Sequence, residues 1–291
     1  MTLSEANLNK LAVFSLNKLA CYNCVMKQKR TAILYIWTDI WLIFRRNVYA
    51  QAHAHHALQI TLPLTASKLQ LDEDNVVTNH DGLIIHSDVS HLIRGQDDWV
   101  ATFYINPETA VSHTIKSTFA NAPIHSLDKR LASSISVLLR EVFEGEYTCT
   151  ENYGRIQACL QLLLGDHMPS ASIDPRIQDA LQIIAETEDY KISASDLANS
   201  IYLSEGRMGH LFKEEIGIPL RRYLLWQRLT TAMQAITAGQ SFTDAAHSAG
   251  FSDLAHLTRT SKQMFGFAPS TLFANAENTA VRFCEDPSEI I

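Results

Sequence analysis

The stretch GFSDLAHLTRTSK, residues 250–262, decides the fold of the C-terminal part of this chain. It has the layout of a helix-turn-helix: a glycine for a tight turn, an aromatic residue after it, and apolar residues at helical spacing beyond. The stretch YLSEGRMGHLFK, residues 202–213, has the same helical spacing of apolar residues 48 positions upstream, with Tyr202 and Leu203 at the positions of the glycine and the aromatic residue. The offset grows to 49 where Gly217 matches Gly266. A repeat of a whole unit rarely arises by chance, so the sequence predicts two helix-turn-helix motifs in one helical domain.

Each motif contains the residue types that its geometry requires. Ala198 and Ala246 are small enough for the two helices of a motif to approach closely. Gly250 stands where the turn requires a positive φ. We expect Leu203 and Phe251 to be the buried residues of the two turns.

Side chains that cap helix N-termini precede the predicted helices. Pro219 opens a long helix between the motifs, which runs through Ala238 and stops at Gly239. Pro175 suits a first helical position. The predicted N-caps are Asp174, Ser193 or Ser195, Ser204, Thr243 and Ser252.

Residues from about Asp174 to Phe273 resemble the DNA-binding domain of the AraC family of transcription regulators. The strongest match is the run at residues 250–259, followed by Lys262 and the sequence FGFAP at residues 265–269. The resemblance covers about a third of the chain and departs from the family at Ser261, where a buried Phe is usual. We expect a polar residue there to weaken the core of the second motif or to leave a small cavity.

The resemblance implies that one domain places two helices into successive major-groove segments on one face of DNA. An Arg side chain can pair with guanine, and a Thr methyl can contact thymine. Lysine and arginine on phosphates give affinity without reading sequence. The predicted base-reading residues are Arg207, His210, Asp253, His256 and Thr258, and the predicted phosphate contacts are Lys213, Arg259 and Lys262.

The charge of the chain does not by itself indicate a nucleic-acid binder. The chain has 291 residues and a formal net charge of −7. Residues 174–273 carry nine basic against eleven acidic side chains, whereas residues 204–262 carry seven against five. Specific contacts and pairing of two protomers must therefore supply the affinity, and we expect a shallow salt dependence of DNA binding.

Composition and cysteine usage are typical of a soluble chain with two domains. The apolar stretch from Thr31 to Phe44 has 14 residues and contains Asp39, too short for a membrane span, so it predicts one or two buried strands. Residues 1–30 do not have the pattern of a signal peptide. Five cysteines, an odd number, favour free thiols in the cytoplasm.

The predicted fold class is α+β multidomain: an N-terminal cupin-like β-barrel with a helical pair, then an all-α double helix-turn-helix domain. Short β-rich runs support the barrel, and helical periodicity over residues 126–143 and 153–164 supports the pair. The pair either packs on its own domain or forms a dimer interface. The predicted domains are an extension (1–30), the sensor barrel (31–125), the helical pair and linker (126–173), the DNA-binding domain (174–275) and a C-terminal tail (276–291).

A histidine cluster in the first domain resembles the two-part pattern of cupin barrels. His53 and His55 lie two apart, which places both side chains on one face of a strand. The position of the metal-binding carboxylate holds Gln59, and His91 follows downstream. A ligand pocket without metal, a purely structural role and a bound metal remain alternatives. The candidate ligand-binding residues are Trp37, Arg46, His53, His55, Gln59 and His91.

The sequence therefore predicts a ligand-responsive, sequence-specific DNA-binding transcription regulator. The alternative is a metal-dependent cupin enzyme with an appended helical domain. For the regulator we expect promoter DNA, a small-molecule effector, RNA polymerase (if it is an activator) and a second copy of the chain as partners. We expect no membrane, no cofactor, no metal and no catalytic residues.

Overall fold

The computed structural model describes residues 31–46, 52–73, 75–95, 98–107, 109–168, 174–187, 192–216, 219–273 and 278–284. The predicted N-terminal extension, with Cys21 and Cys24, lies outside the described residues, as does most of the predicted linker. Within the described ranges, no helix is both long enough and apolar enough to cross a membrane.

The N-terminal part is rich in strands, and one more strand comes from the end of the described chain. The strands are β1 (Ala32–Ile36), β2 (Ile40–Arg46), β3 (Leu58–Pro63), β4 (Leu69–Glu73), β5 (Val76–His80), β6 (Leu83–Ile85), β7 (Ile93–Gly95), β8 (Trp99–Ile105), β9 (Ile124–Ser126) and β10 (Thr279–Phe283). They form a seven-stranded sheet in the order β10-β1-β2-β8-β3-β6-β9 and a three-stranded sheet in the order β5-β4-β7.

The predicted closed barrel is corrected to two open sheets. The seven-stranded sheet ends at β10 on one side and at β9 on the other. β10 pairs in parallel with β1, so residues assigned to a C-terminal tail contribute a strand to this sheet. Helices cover both faces of the large sheet, so it buries its apolar surface without closing.

The helices after residue 126 follow the predicted order, whereas one helix lies within the residues predicted as the barrel. They are α1 (Ala110–Thr118), α2 (Lys129–Glu144), α3 (Cys149–Leu164), α4 (Pro175–Ala185), α5 (Ala194–Ser200), α6 (Glu205–Ile216), α7 (Leu220–Thr237), α8 (Phe242–Ser248), α9 (Leu254–Phe265) and α10 (Pro269–Leu272). The predicted helical pair is α2 and α3, and it packs on one face of the large sheet.

The buried strands predicted in the apolar stretch from Thr31 to Phe44 are β1 and β2. Alternate residues of β1 enter different cores: Ile33 and Tyr35 face the helical pair, whereas Leu34 and Ile36 face the second helix-turn-helix motif. Since both faces are buried, nearly every residue of these strands is apolar.

The two motifs are supported differently. The first has a core of its own, formed by α4, α5, α6 and the start of α7. The second motif, α8 and α9, shares its core with β1 and β2 of the large sheet. The second motif therefore belongs to the same packed unit as the N-terminal sheet.

The expectation of free thiols is wrong for two cysteines. Cys149, at the start of α3, and Cys284, just after β10, form a disulfide across 135 residues of sequence. The pairing of β10 with β1 brings Cys284 to α3, a contact that cysteine spacing cannot reveal. Cys159 is free and buried, and burial raises its pKa to about 12.

Candidate nucleic-acid interface and the adjoining histidine cluster

The first motif is built from α5 and α6. The Ser193 side chain accepts a hydrogen bond from the Asp196 amide at 3.0 Å, so Ser193 rather than Ser195 caps α5. Ser204 accepts from the Arg207 amide at 3.3 Å, as predicted. In the turn, the Leu203 amide donates to the Ala198 carbonyl at 2.9 Å. Local hydrogen bonds therefore fix the angle between the two helices.

The second motif repeats this turn with different caps. The Phe251 amide donates to the Ala246 carbonyl at 2.9 Å, the counterpart of the bond in the first motif. Ser241 caps α8, and Asp253 caps α9 by accepting from the His256 amide at 2.6 Å. The predicted caps Thr243 and Ser252 are therefore wrong. Each correct cap is the residue immediately before its helix, and that boundary is not evident from periodicity alone.

The turns share a left-handed residue. Gly250 has a φ of 79°, as the sequence predicts, and Tyr202 has a φ of 58° at the matching position. The first motif thus adopts the same backbone without a glycine. Tyr202 is 95% exposed, so its ring contributes little to the core.

On α6, Arg207, His210 and Lys213 are all exposed. They lie three residues apart, which places them along one face of the helix. On the opposite face, Met208 and Phe212 are buried in the core of the first motif. The exposed face can therefore meet a partner without disturbing the motif.

On α9, Arg259 and Lys262 are exposed, and they too lie three residues apart. His256 and Thr258 are half-buried, and the His256 ring lies edge-on to Phe251 at 5.2 Å between centroids. Asp253 is exposed at the start of the helix, where hydrogen bonding to the His256 amide lowers its pKa. The Asp253 carboxylate that caps α9 is the same group that would contact a base, so base reading by Asp253 remains a prediction.

Ser261 is fully buried in the second motif, and its hydroxyl donates to the Phe267 carbonyl oxygen at 2.8 Å. The residue that departs from the family pattern therefore has a hydrogen-bond partner. This contact ties α9 to the loop that follows it.

An aromatic cluster joins the second motif to the large sheet. Phe265, the last residue of α9, stacks on Trp41 of β2 with ring centroids 4.1 Å apart. Trp226 of α7 lies edge-on to Phe265 at 5.1 Å, and Tyr104 of β8 lies 5.7 Å from Phe267. Sequence reasoning missed this contact, although the two phenylalanines of the FGFAP run indicate a buried apolar partner.

The segment before β3 makes backbone hydrogen bonds to the C-terminal end of α9. The His56 amide donates to the Gln263 carbonyl at 2.8 Å, and the Ala57 amide donates to the Met264 carbonyl at 3.0 Å. The last carbonyls of a helix have no partner within it, so these bonds replace water or a cap. In addition, the His56 side chain accepts a hydrogen bond from Arg222 of α7.

The same segment carries the histidine cluster. The His53 and His91 rings lie 4.5 Å apart, and the His55 and His91 rings lie 5.0 Å apart, measured between centroids. His55 Nδ1 donates to the Ala57 carbonyl at 3.0 Å, and His55 Nε2 lies 2.7 Å from Oε1, the side-chain oxygen of Gln59. Burial lowers the pKa of His55 and of His91 to about 4, so both imidazoles are neutral near pH 7.

The structure brings together four of the six candidate ligand-binding residues, namely His53, His55, Gln59 and His91. Trp37 lies in the core between the large sheet and the helical pair, where its ring is 5.9 Å from that of Tyr153 of α3. Arg46 lies over the Trp99 ring at 5.4 Å, at the far end of β2 and about five residues from Trp41.

Comparison with known proteins supports the assignment of the C-terminal part. Residues 197–275 match a family described as a helix-turn-helix domain. The chain is 26% identical over 226 residues to the probable transcriptional regulator LumQ of Photobacterium leiognathi, covering 75% of this chain and 90% of that protein. It is 28% identical over 107 residues to the arabinose operon regulatory protein of Salmonella typhimurium, covering 36% of this chain and 38% of that protein.

Among solved structures, ToxT from Vibrio cholerae O395 aligns over 80% of this chain and 95% of its own, with a TM-score of 0.43 and 11% identity. The family match lies over the two motifs and over the signature at residues 250–269. The C-terminal part of this chain is therefore an AraC-type helix-turn-helix domain.

Proposed function

We propose that this chain is a ligand-responsive, sequence-specific DNA-binding transcription regulator. The observation that carries the proposal is the pair of motifs with basic residues on the exposed faces of α6 and α9. The relatives support it, since their names describe transcription regulators. The two helices occupy successive major-groove segments, roughly 34–36 Å apart along the duplex.

The residues divide into two roles. Arg207 and His210 on α6 read base edges, with His256, Thr258 and Asp253 in the second motif. Lys213, Arg259 and Lys262 contact phosphates and give affinity that salt weakens. The 18-residue helix α7 links the two motifs and sets their separation.

The regulator acts as a homodimer in the cytoplasm, and it contacts RNA polymerase if it is an activator. The helical pair is the dimer face in this proposal, because Val137 of α2 and Leu162 of α3 are 46% and 45% exposed. The molecular mass in solution tests this part: a Val137→Glu, Leu162→Glu double variant should shift a dimer to monomers.

A regulator accounts for the histidine cluster better than an enzyme does. The three histidines lie beside the C-terminal end of α9, so a ligand bound to them would act directly on the second motif. We therefore assign the N-terminal part to sensing a small effector.

DNA selection from a random library, followed by footprinting, tests the function. We expect an enriched sequence that is protected as two segments about one helical turn apart. Arg207→Ala should weaken binding by about 5- to 150-fold and relax one position of the site, which corresponds to 1–3 kcal/mol for a base-pair contact. Arg130→Ala, at an exposed position of α2, is the matched control. Failure to enrich any sequence would refute the proposal.

A further inference from the structure

We infer that His53, His55 and His91 form a binding site for a divalent transition metal of the zinc class, and that the bound ion acts on the second helix-turn-helix motif. The effect on DNA rests on the function proposed above, whereas the site itself does not. The inference names a chemical class of effector and the element that responds to it.

The three side chains are spaced closely enough to share an ion. One ring nitrogen from each histidine lies within 4.8 Å of the others. Nitrogen ligands around a tetrahedral zinc ion lie about 3.4 Å apart, given a bond of about 2.0–2.1 Å. Binding therefore requires these nitrogens to approach one another by up to about 1.4 Å. His53 is only partly buried, so its side chain can turn inward.

Hydrogen bonds already orient two of the ligands. His91 Nδ1 donates to the Val89 carbonyl at 2.9 Å, as His55 Nδ1 donates to Ala57. Metal-binding histidines almost always donate their second ring nitrogen to a carbonyl or a carboxylate in this way. The arrangement leaves Nε2 of His91 as its metal-facing atom, whereas His55 Nε2 must exchange its 2.7 Å contact with the Gln59 side-chain oxygen for the ion.

One of these atoms lacks a partner among the described residues. His91 is 3% exposed, and its buried Nε2 has no hydrogen bond there. Buried polar atoms are nearly always paired, because an unpaired one costs about 1–3 kcal/mol. A metal ion at the cluster supplies that partner, and the Gln59 amide beside His55 offers an oxygen as a further, weaker ligand.

The cluster is in direct contact with the end of α9. Gly266, the left-handed C-cap of this helix with a φ of 80°, lies against it. A Cβ atom on Gly266 would lie 2.7 Å from His53 Nε2 and 3.1 Å from His55 Cδ2. The neighbouring His56 and Ala57 amides hold the last carbonyls of α9. An ion that draws His53 and His55 together therefore acts on the segment that caps this helix.

The test uses the full-length chain without an affinity tag, stripped with a chelator and titrated with Co²⁺ alone and then with Zn²⁺. We expect one equivalent of Co²⁺, the visible absorption of a tetrahedral site, and its displacement by Zn²⁺. His91→Ala should weaken binding about 100-fold or more, beyond the 10- to 100-fold cost of a lost supporting contact. His53→Ala should weaken binding to the same extent. Because His53 is only partly buried, this substitution should disturb folding less than His91→Ala does.

His167→Ala is the matched control, since this exposed histidine lies outside the cluster. Amide hydrogen exchange with and without Zn²⁺ should show greater protection of α9 and unchanged protection of α6. Absence of stoichiometric binding, or binding that survives both His53→Ala and His91→Ala, would overturn the site. Binding without any change in α9 would overturn the coupling.

The two proposals fail separately. Metal binding is measured without DNA, so a chain that selects a DNA sequence but binds no metal refutes only this inference. Conversely, metal binding that protects α9 supports the site even if no DNA sequence is selected. When both hold, Zn²⁺ should change protection of the DNA segment under α9 more than that of the segment under α6.

Discussion

At the scale of single residues, the two turns have the same backbone but different residues. Tyr202 has a left-handed φ of 58°, where its repeat partner is Gly250. A left-handed residue with a Cβ costs roughly 1–2 kcal/mol. A glycine avoids this cost, but its greater conformational freedom in the unfolded chain offsets part of the gain in stability.

We therefore expect Tyr202→Gly to raise the free energy of unfolding by about 0.5–1 kcal/mol. Since Tyr202 is almost fully exposed, the substitution removes little packing. Chemical denaturation measures the change. Tyr202→Ala is the control, because it removes the ring but keeps the Cβ, and it should leave stability nearly unchanged. An equal gain from both variants would contradict the backbone explanation.

Ser261 is the second residue whose role can be measured. Its hydroxyl donates to the Phe267 carbonyl oxygen in a fully buried position. Ser261→Ala removes the donor and leaves a buried acceptor, so we expect a loss of about 1–2 kcal/mol in thermal or chemical unfolding. Ser270→Ala, at an exposed position, should change stability by less than about 0.5 kcal/mol. A neutral Ser261→Ala would mean that the hydrogen bond carries no net stability.

At the scale of elements, the large sheet has two tryptophans with different helical partners. Trp41 stacks on Phe265 of α9, whereas Trp37 packs toward α3. Both side chains are almost completely buried. They therefore form a matched pair for testing what each face of the sheet supports.

We expect Trp41→Ala and Trp37→Ala each to cost about 3–5 kcal/mol in the stability of the unit that contains the large sheet. Trp41→Ala should increase amide exchange in α9 more than Trp37→Ala does, since Trp41 belongs to the core that the second motif shares with the sheet. Exchange in α6 should stay unchanged in both variants, because the first motif has its own core. Equal loss of protection in α6 and α9 would show that the motifs unfold together.

At the scale of the whole molecule, charge should make a modest contribution to DNA binding. The net charge is −7, and three basic residues are proposed to contact phosphates. Each phosphate contact adds about 0.9 to the slope of log affinity against log salt, so we expect a slope near −3 per protomer. Binding measured at several salt concentrations tests this.

Lys262→Ala should reduce that slope by about 1 without changing the preferred sequence. Lys68→Ala is the control: this residue forms an ion pair with Asp81, far along the chain from both motifs. A slope much steeper than about −6 would show that more phosphates are contacted than the two motifs account for.

Much of the C-terminal domain could be predicted because its signals are local. A glycine at the left-handed position, small residues before each turn and apolar residues at helical spacing each act within a few positions. The same holds for β1 and β2, whose unbroken apolar run indicates burial on both faces. Cap positions are harder to predict, since a neighbouring residue fits the pattern equally well: Thr243 lies two residues from Ser241, and Ser252 lies next to Asp253.

The sequence by itself determined the two motifs, their order after a strand-rich domain and the exposed basic residues of α6 and α9. Only the tertiary structure decided that the second motif rests on the N-terminal sheet, that β10 joins this sheet beside β1, and that Cys149 meets Cys284. It also placed the histidine cluster against Gly266. These contacts join residues more than a hundred positions apart, and buried apolar residues fit many partners. Local sequence therefore carries no record of which partner is used.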